Sequence, residues 1–213
     1  CMDDDVHPYS DCLEQQLRVM PQAGGIVAPQ RLLDGKSVVT GGECLHFNFT
    51  NPFRSMKYNA TLDDIIRCKD YMEVESIAFE GPLISRNVVE KIGLPVKELF
   101  IFWDDTEYSY RAKKNGFHIV YASKAHLFKE NLTANTNKKR SWKYPYMLRN
   151  EIYFIELYAP IYIKRLIQVK LFIRFMLGVC KRLVLADGTY QMADFKVVIK
   201  AFMDGVRRKL RKY

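Results

Sequence analysis

The sequence has few cysteines, and their spacing gives no sign of pairing. It contains five, an odd number, with no Cys-x-x-Cys motif anywhere in the chain. Disulfide frameworks and structural zinc sites usually show an even count or close, paired spacing. The sequence therefore favours reduced thiols of the kind found in the cytosol over a disulfide-bonded or zinc-stabilised fold.

Long uncharged apolar runs, internal repeats and low-complexity tracts are also missing. The most apolar stretch, residues 161–185, carries six Lys and Arg side chains and no uncharged run of 18 residues. A membrane-spanning helix needs about 20 predominantly apolar residues, and a solenoid needs a repeat of fixed period. Neither a spanning helix nor a repeat architecture is expected.

The composition does provide a sizeable core and an uneven positive charge. The chain has 213 residues, 48% of them hydrophobic, enough for one domain with an appendage. The formal net charge is +9, and bases dominate from Lys113 onward. Such an excess indicates an anionic partner: nucleic acid, a phosphate-bearing small molecule or an anionic membrane surface. The sequence shows no RRM, KH, zinc-finger or helix-turn-helix signature, so no nucleic-acid partner is expected.

Helix and strand patterns are mixed along the chain. Apolar residues at helical spacing predict helices over residues 10–20, 86–92, 106–115, 141–185 and 192–212. Shorter apolar runs predict strands near residues 1–6, 26–28, 75–79 and 99–102, and the stretch FHIVYASKAHLF predicts a strand followed by a loop. Ser10 and Ser85 are the predicted N-caps of the first two helices, and Leu13, Leu17 and Met20 share a face of the first.

One long segment has no clear period. Residues 34–75 are polar, rich in Gly and Asn, and weakly periodic. They predict an irregular excursion with one short helix near the stretch TLDDIIRCKDYM.

The first of two acidic clusters is the triplet Asp3, Asp4 and Asp5. Adjacent carboxylates repel one another, and a divalent cation offsets that repulsion, because Mg²⁺ and Mn²⁺ prefer carboxylate oxygens and often bridge to a diphosphate. His126 follows a predicted strand and could add an imidazole, which Mn²⁺ accepts more readily than Mg²⁺. The alternative is a solvated acidic loop, and the triplet alone does not decide between the two.

The second cluster is Trp103-Asp104-Asp105-Thr106-Glu107, which follows the apolar run LFIF. An acid held at the edge of an apolar strand, beside an indole, can act as a general base. The alternative is helix capping, since acids are common at helix N-termini. The two interpretations are compatible with each other.

The order of these pieces is more specific than any one of them. The series MDDDVHP, FEGPLISRNVVEKIGLP and LFIFWDDTEYSYRAKKNGFHIVYASKAHLFKE, over about residues 1–155, resembles the GT-A glycosyltransferases of family 2. It is most similar to their galactofuranosyltransferase and rhamnosyltransferase branch, and YPYMLRNEIYF is similar to the family's tyrosine-rich Arg-Asn helix. The resemblance implies an α/β, Rossmann-like GT-A sheet whose second half is residues 1–140, followed by a helical, basic extension over 141–213.

The resemblance implies a donor site at the Asp triplet. Asp3 and Asp5 match the outer positions of the motif that holds the metal and the donor diphosphate, with Asp4 between them near the ribose and sugar. His126 matches the further metal ligand. The implied cofactor is Mn²⁺ or Mg²⁺, and the implied donor is a UDP- or dTDP-linked sugar.

The resemblance also implies an acceptor site and an inverting mechanism. Asp105 matches the catalytic base, and Asp104 matches an acid that positions the sugar or the acceptor. Trp103, Gly81 and Glu107 take acceptor-binding positions, although core packing would also explain the indole. The implied acceptor is a glycan or a polyprenyl-diphosphate-linked glycan in cell-surface polysaccharide synthesis.

In such enzymes the strand before the Asp triplet is preceded by roughly a hundred residues with the first βαβ units, which bind the nucleotide base and ribose. The sequence is therefore expected to be a fragment, a truncated reading frame or a numbering that starts late. A sheet without those strands would expose an unpaired edge.

Residues 161–185 predict a basic amphipathic helix that lies on a membrane. Lys164, Arg165, Lys170 and Arg174 are expected to face anionic headgroups. This would place the protein in the cytoplasm, peripheral at the inner face of the plasma membrane. The alternative is a helix packed on the catalytic domain with a solvated basic face.

Two other classes of function use some of the same features. A Mg²⁺-dependent nuclease or phosphohydrolase would use the carboxylates, but it usually needs a second metal site, and only one His follows the two clusters. A basic nucleic-acid-binding module would account for the positive charge and leave both acidic clusters unexplained.

Overall fold

The computed structural model describes residues 5–130, 142–184 and 193–213. Asp3, Asp4 and the predicted domain boundary at residue 140 lie outside this part of the chain. The chain divides into two compact units. Within the described residues, unit 1 comprises 5–47, 57–95 and 105–130, and unit 2 comprises 48–56, 96–104, 142–184 and 193–213.

Unit 1 is a mixed α/β domain, as the resemblance implied. Its elements in chain order are β1 (Val6–Pro8), α1 (Cys12–Arg18), β2 (Gly25–Leu33), β3 (Ser37–Val38), β4 (Cys44–Phe47), β5 (Lys57–Asn59), α2 (Leu62–Arg67), β6 (Tyr71–Glu73), β7 (Leu83–Ile84), α3 (Arg86–Ile92), α4 (Asp104–Lys114) and β8 (His118–Lys129). The first residue of α4 is assigned to unit 2.

The two long strands, β2 and β8, form the centre of a six-stranded sheet and run parallel. β1 and β6 pair antiparallel with β8, and β3 and β7 pair antiparallel with β2. β4 and β5 form a separate antiparallel pair. The register of β2 against β8 shifts after Pro29, which pairs with Ala122, so that Gln30 pairs with His126.

Side chains of the central strands alternate between two buried layers, as a pleated strand requires. Ile26, Ile119 and Tyr121 belong to one apolar cluster, which also contains residues of α2, α3 and α4. Val27 and Val120 belong to the second cluster, which contains Cys12 of α1. The sheet is therefore covered by helices on both faces.

The helices of unit 1 confirm the predicted positions, but not every predicted cap. α1 begins at Cys12 with Asp11 at the N-cap position, so the Ser10 cap is wrong. Leu13 and Leu17 are 56% and 57% exposed, and the buried residues of α1 are Cys12 and Gln16. α1 therefore buries the face that carries Cys12 and Gln16, and the face that carries Leu13 and Leu17 is exposed.

Two further local predictions, the Ser85 cap and the irregular segment 34–75, are each confirmed only in part. Ser85 does occupy the N-cap position of α3, but its hydroxyl accepts a hydrogen bond from Gly25 N of β2 instead of capping the helix. Residues 34–75 contain the predicted short helix, which Thr61 and Asp64 close with a capping box. They also contain the short strands β3 to β6, which were not predicted.

The predicted strand at LFIF is wrong. Residues 97–99 form a 3-10 helix, and Phe100, Phe102 and Trp103 all have positive φ, between 63° and 68°. Non-glycine residues rarely adopt this left-handed region, and no strand contains it. Phe100 and Phe102 are also 54% and 41% exposed, so the acids that follow emerge from a strained turn and not from a buried strand.

Unit 2 is helical in its C-terminal part. After the 3-10 helix it contains α5 (Tyr144–Tyr158), α6 (Ile161–Val184) and α7 (Ala193–Val206). α5 ends where Ala159 turns extended before Pro160, because proline disfavours helical backbone in the residue before it. A Cβ at Gly205 of α7 would lie 2.7 Å from Arg149 O and from Ile152 Cβ of α5, so glycine permits the close approach of these helices.

The basic residues of α6 lie on a helix that packs within unit 2, and their contact with a membrane stays a prediction. All four of those expected to face headgroups have partners inside unit 2: Lys164 and Arg165 pair with Glu156, Arg174 pairs with Glu151, and Lys170 donates to the carbonyl oxygens of Pro52 and Arg54. Across the described ranges, no helix combines the length and apolarity that crossing a bilayer requires.

Candidate active site

Asp5 is the member of the acidic triplet that the structure describes. It lies in a turn directly before β1, and its carbonyl oxygen accepts a hydrogen bond from Glu130 N, 2.9 Å away, after β8. Its carboxylate Oδ2 lies 3.3 Å from Lys129 Nζ. The pairing of β1 with β8 therefore places Asp5 beside a positive side chain.

A chain of ion pairs extends from Asp5 into the interior of unit 1. Lys129 Nζ donates to Glu80 Oε1 (2.6 Å), and Glu80 Oε2 accepts from Arg31 Nη1 (2.9 Å). Arg31 Nη2 then donates to both carboxylate oxygens of Glu43, at 2.7 and 2.9 Å. The side chains of Arg31 and Glu43 are only 6% and 1% exposed, so this end of the chain is fixed by burial.

The electrostatics of this chain favour the charged forms of Glu80 and Lys129. Burial alone would raise the pKa of Glu80, but the hydrogen bond from Lys129 and the charge of Arg31 lower it below its ordinary value. Burial would likewise lower the pKa of Lys129, and the hydrogen bond to Glu80 outweighs it and raises that pKa. Both groups are therefore ionised at neutral pH, and Lys129 is held as a cation beside Asp5.

Gly81 follows Glu80 and has a left-handed backbone conformation, which favours glycine. Its φ is +73°, and a Cβ there would lie 2.7 Å from Leu127 Cδ1 of β8. Its carbonyl oxygen accepts a hydrogen bond from Gln16 Nε2 (2.9 Å), which also donates to Val27 O. These contacts explain structurally why a glycine stands at position 81. Its role in acceptor binding stays a prediction.

Asp104 and Asp105 occupy the first turn of α4. Asp105 is partly buried, and its Oδ1 accepts hydrogen bonds from Thr106 N (2.5 Å) and Thr106 Oγ1 (3.1 Å). Carboxylates are favourable at this end of a helix, where backbone N–H groups lack partners. Their place in the first turn gives both acids a favourable electrostatic position, and their catalytic roles stay predictions.

Glu107 is 2% exposed and forms an ion pair with Arg111 one turn along α4, at 3.0 Å. Arg111 also donates to the carbonyl oxygens of Ile92 and Leu94, the second at 3.1 Å. The pair thus ties α4 to the end of α3. This is a structural role, and acceptor binding by Glu107 is an untested prediction.

Trp103 packs its ring 5.1 Å from that of Phe154 on α5, within unit 2. The indole of Trp103 therefore packs against another side chain on at least one side of its ring, as the core-packing interpretation expects. Its acceptor-binding role is a prediction that this contact neither requires nor opposes.

Sequence reasoning missed the residues that hold the turn before Trp103. Asn150, fully buried on α5, donates through Nδ2 to the carbonyl oxygens of Leu99, Ile101 and Phe102 at 2.8–2.9 Å. Its neighbour Arg149, also fully buried, donates to Glu98 O, Leu99 O and Arg211 O. The only signal was the Arg-Asn pair in YPYMLRNEIYF.

His126 lies in β8, where its Nε2 is 3.1 Å from Ser123 O and its ring meets the edge of Tyr9. Among the residues that the structure describes, no three His, Cys, Asp or Glu side chains gather as a possible metal site. Of the predicted ligands, Asp5 and His126 are described and Asp3 is not. The metal set therefore stays a prediction.

A cleft of about 590 Å³ lies elsewhere on unit 1, between α1, β6 and β8. Its charged groups are paired across the cleft wall, Asp70 with Lys124 and Glu73 with His118. None of the predicted site residues that the structure describes lines it. The cleft and the predicted chemistry are therefore separate features.

The mixed sheet covered by helices on both faces, with further helices toward the C-terminus, defines a GT-A-like α/β glycosyltransferase domain. A family model described as "Glycosyltransferase like family 2" matches residues 1–145, more than half of the chain. The chain therefore belongs to the family-2 glycosyltransferases. A comparison with curated proteins found no match.

Proposed function

We propose that this protein transfers a sugar, with inversion, from a UDP- or dTDP-linked donor to a glycan or polyprenyl-diphosphate-linked acceptor. The reaction would serve cell-surface polysaccharide synthesis, with a galactofuranosyl or rhamnosyl donor, in the cytoplasm at the inner face of the plasma membrane. The observation that carries the proposal is the family match over residues 1–145, because that span includes both acidic clusters.

The proposed base is Asp105. Its carboxylate takes the proton of an acceptor hydroxyl, and the oxygen attacks the anomeric carbon from the side opposite the diphosphate. The new C–O bond forms as the bond to the diphosphate breaks, and the diphosphate departs with the bonding electrons. The configuration at the anomeric carbon is therefore inverted. The partly buried position of Asp105, fixed by its contacts with Thr106, supports this role because a base must be held in place.

Asp104 and Trp103 are proposed to position the acceptor. Trp103 enters α4 from a turn of positive φ, and strained backbone of this kind is often found where a side chain must be aimed. Gly81 and Glu107 are proposed as further acceptor-site residues on the resemblance alone, since their observed contacts are structural.

The residues proposed to hold Mn²⁺ or Mg²⁺ are Asp3, Asp5 and His126, with Asp4 near the ribose. Carboxylate oxygens with one imidazole are a donor set that suits Mn²⁺ better than Mg²⁺. When bound there, the cation would offset negative charge on the departing diphosphate. The carboxylate of Asp5 lies 3.3 Å from Lys129 Nζ. This lysine therefore adds a second positive charge beside the proposed diphosphate site.

Donor binding tests this proposal directly. With protein expressed from its complete reading frame, UDP-galactofuranose or dTDP-rhamnose should bind in the presence of Mn²⁺, measured by titration calorimetry. Asp5→Ala should weaken that binding at least about tenfold, as expected for a lost charged ligand, and should reduce its dependence on Mn²⁺.

The matched control is Asp11→Ala, an exposed acid six residues away in the same unit, which should leave the affinity unchanged. Equal affinity of the wild type with Mn²⁺ and with a chelator, or the same loss of affinity in both variants, would show that the triplet does not hold a metal-bound diphosphate.

A further inference from the structure

One side of α6 is apolar and exposed, and the fold of unit 2 does not account for it. Five side chains at helical spacing, which we name the α6 stripe, are 50–73% exposed: Tyr162, Leu166, Val169, Ile173 and Leu177. A second series packs α6 into unit 2 and is at most 4% exposed: Ile163, Ile167, Leu171, Phe175 and Val179. At about 100° per residue the two series lie on opposite sides of the helix.

The α6 stripe is bordered by positive side chains. On the helical wheel, Arg165 lies on one side of it, and Lys170, Arg174 and Lys181 lie on the other. The sequence of α6 contains no Asp or Glu. An exposed apolar stripe between two basic borders is typical of a helix that lies in a membrane interface, where long basic side chains reach the phosphate groups.

The charge of the surrounding region favours an anionic occupant over a second copy of the chain. Residues 144–213 contain 14 Lys and Arg against 5 Asp and Glu, which equals the whole excess of +9. A symmetric dimer through this face would bring two such regions together, and like charges would oppose it. An anionic bilayer offers the opposite charge and an apolar layer at once.

We infer that the α6 stripe docks on an anionic lipid bilayer, with α6 parallel to the surface. The apolar side chains enter the boundary between headgroups and acyl chains, and the bordering cations lie at the level of the phosphates. This differs from a contact through the basic side chains alone, because Arg165, Lys170 and Arg174 also have partners on α5 or on backbone carbonyls. The inference rests on the membrane location in the proposed function and names the surface that makes the contact, and a vesicle-binding test of it is separate from any test of sugar transfer.

The test is co-sedimentation of the protein with sucrose-loaded vesicles. Wild type should bind vesicles of phosphatidylglycerol and phosphatidylcholine (1:1) and should bind pure phosphatidylcholine at least about tenfold more weakly. The double variant Leu166→Glu and Ile173→Glu should lose at least about tenfold in binding to the anionic vesicles, since two exposed apolar contacts are removed.

The matched control is Ile66→Glu with Leu94→Glu. It adds the same two charges at side chains of unit 1 that are 69% and 73% exposed, and it should keep wild-type binding. Equal sedimentation of the two double variants would overturn the inference. So would light scattering that shows a wild-type dimer separated by the stripe variant, with vesicle binding unchanged, because a second copy would then cover the stripe.

A second measurement leaves the side chains of the α6 stripe unchanged, so its result does not depend on whether the double variants fold. Cys180 is exposed at the end of α6 and falls on the stripe side of the helical wheel. With Cys1 and Cys68 replaced by Ser, an environment-sensitive dye on Cys180 should shift its emission to the blue when phosphatidylglycerol vesicles are added. Unchanged emission under conditions where the protein sediments would place the contact elsewhere and reject the stripe.

Discussion

Asp105→Asn is expected to lower kcat by at least about a hundredfold, because general-base assistance is typically worth about 10²–10⁴ in rate. Asparagine keeps the size of the side chain and can still accept hydrogen bonds from Thr106, but it cannot take the proton of the acceptor hydroxyl. Donor affinity and thermal stability should remain close to those of wild type. Steady-state kinetics, calorimetry and thermal unfolding on one preparation measure all three.

The control for this variant is another acid in the first turn of a helix. Asp64 closes the capping box of α2, where its carboxylate accepts from Thr61 N at 2.8 Å. Asp64→Asn should affect stability and leave kcat unchanged. If Asp105→Asn behaves in the same way, with near-normal turnover or activity lost only through unfolding, then Asp105 is a helix cap and the proposed mechanism is wrong.

Asn150→Ala is expected to cost about 2–4 kcal/mol of unfolding free energy. The amide of the fully buried Asn150 donates to three backbone carbonyls. Leu99 O also accepts from Arg149 and from Ile101 N, so the variant leaves the carbonyls of Ile101 and Phe102 without this donor, at about 1–2 kcal/mol each for part-buried acceptors. The turn it holds contains Phe100, Phe102 and Trp103 at positive φ, a conformation that persists only where its surroundings impose it. Urea unfolding measures the loss.

Fluorescence separates a local release of this turn from a general loss of stability. The sequence contains two tryptophans, so a Trp142→Phe background reports on Trp103 alone. Asn150→Ala should change the emission and raise the quenching of Trp103 under native conditions, because the indole would leave the ring of Phe154. Asn115→Ala is the matched control: its amide makes one exposed hydrogen bond, to Arg111 O. If both variants lose the same stability and Trp103 is unmoved, the turn does not depend on Asn150.

The parts of the fold that could be predicted are those with local causes. α3 ends as predicted because Gly93 follows it at a φ of 74°, and α2 begins at a capping box four residues long. The turn at residues 99–103 could not be predicted, because four apolar residues favour a strand. Its conformation is imposed by Arg149 and Asn150, about 50 positions later in the chain.

The same contrast applies to the candidate site and to α6. The two acidic clusters were visible as sequence motifs, whereas the ion-pair chain from Lys129 through Glu80 to Arg31 joins residues 49 positions apart at each step. An amphipathic helix over 161–185 was predictable from its spacing. Which side it exposes was not, because its basic side chains find Glu151 and Glu156 on the preceding helix.

The configuration of the transferred sugar tests the central claim most directly. Protein from the complete reading frame would be incubated with UDP-galactofuranose or dTDP-rhamnose and a glycan acceptor, and the anomeric proton of the product would be followed by NMR from the first turnovers. The account predicts a new glycosidic bond whose anomeric configuration is opposite to that of the donor. Retained configuration in the first product formed, or release of free sugar without transfer, would contradict a single displacement by an acceptor hydroxyl activated at Asp105.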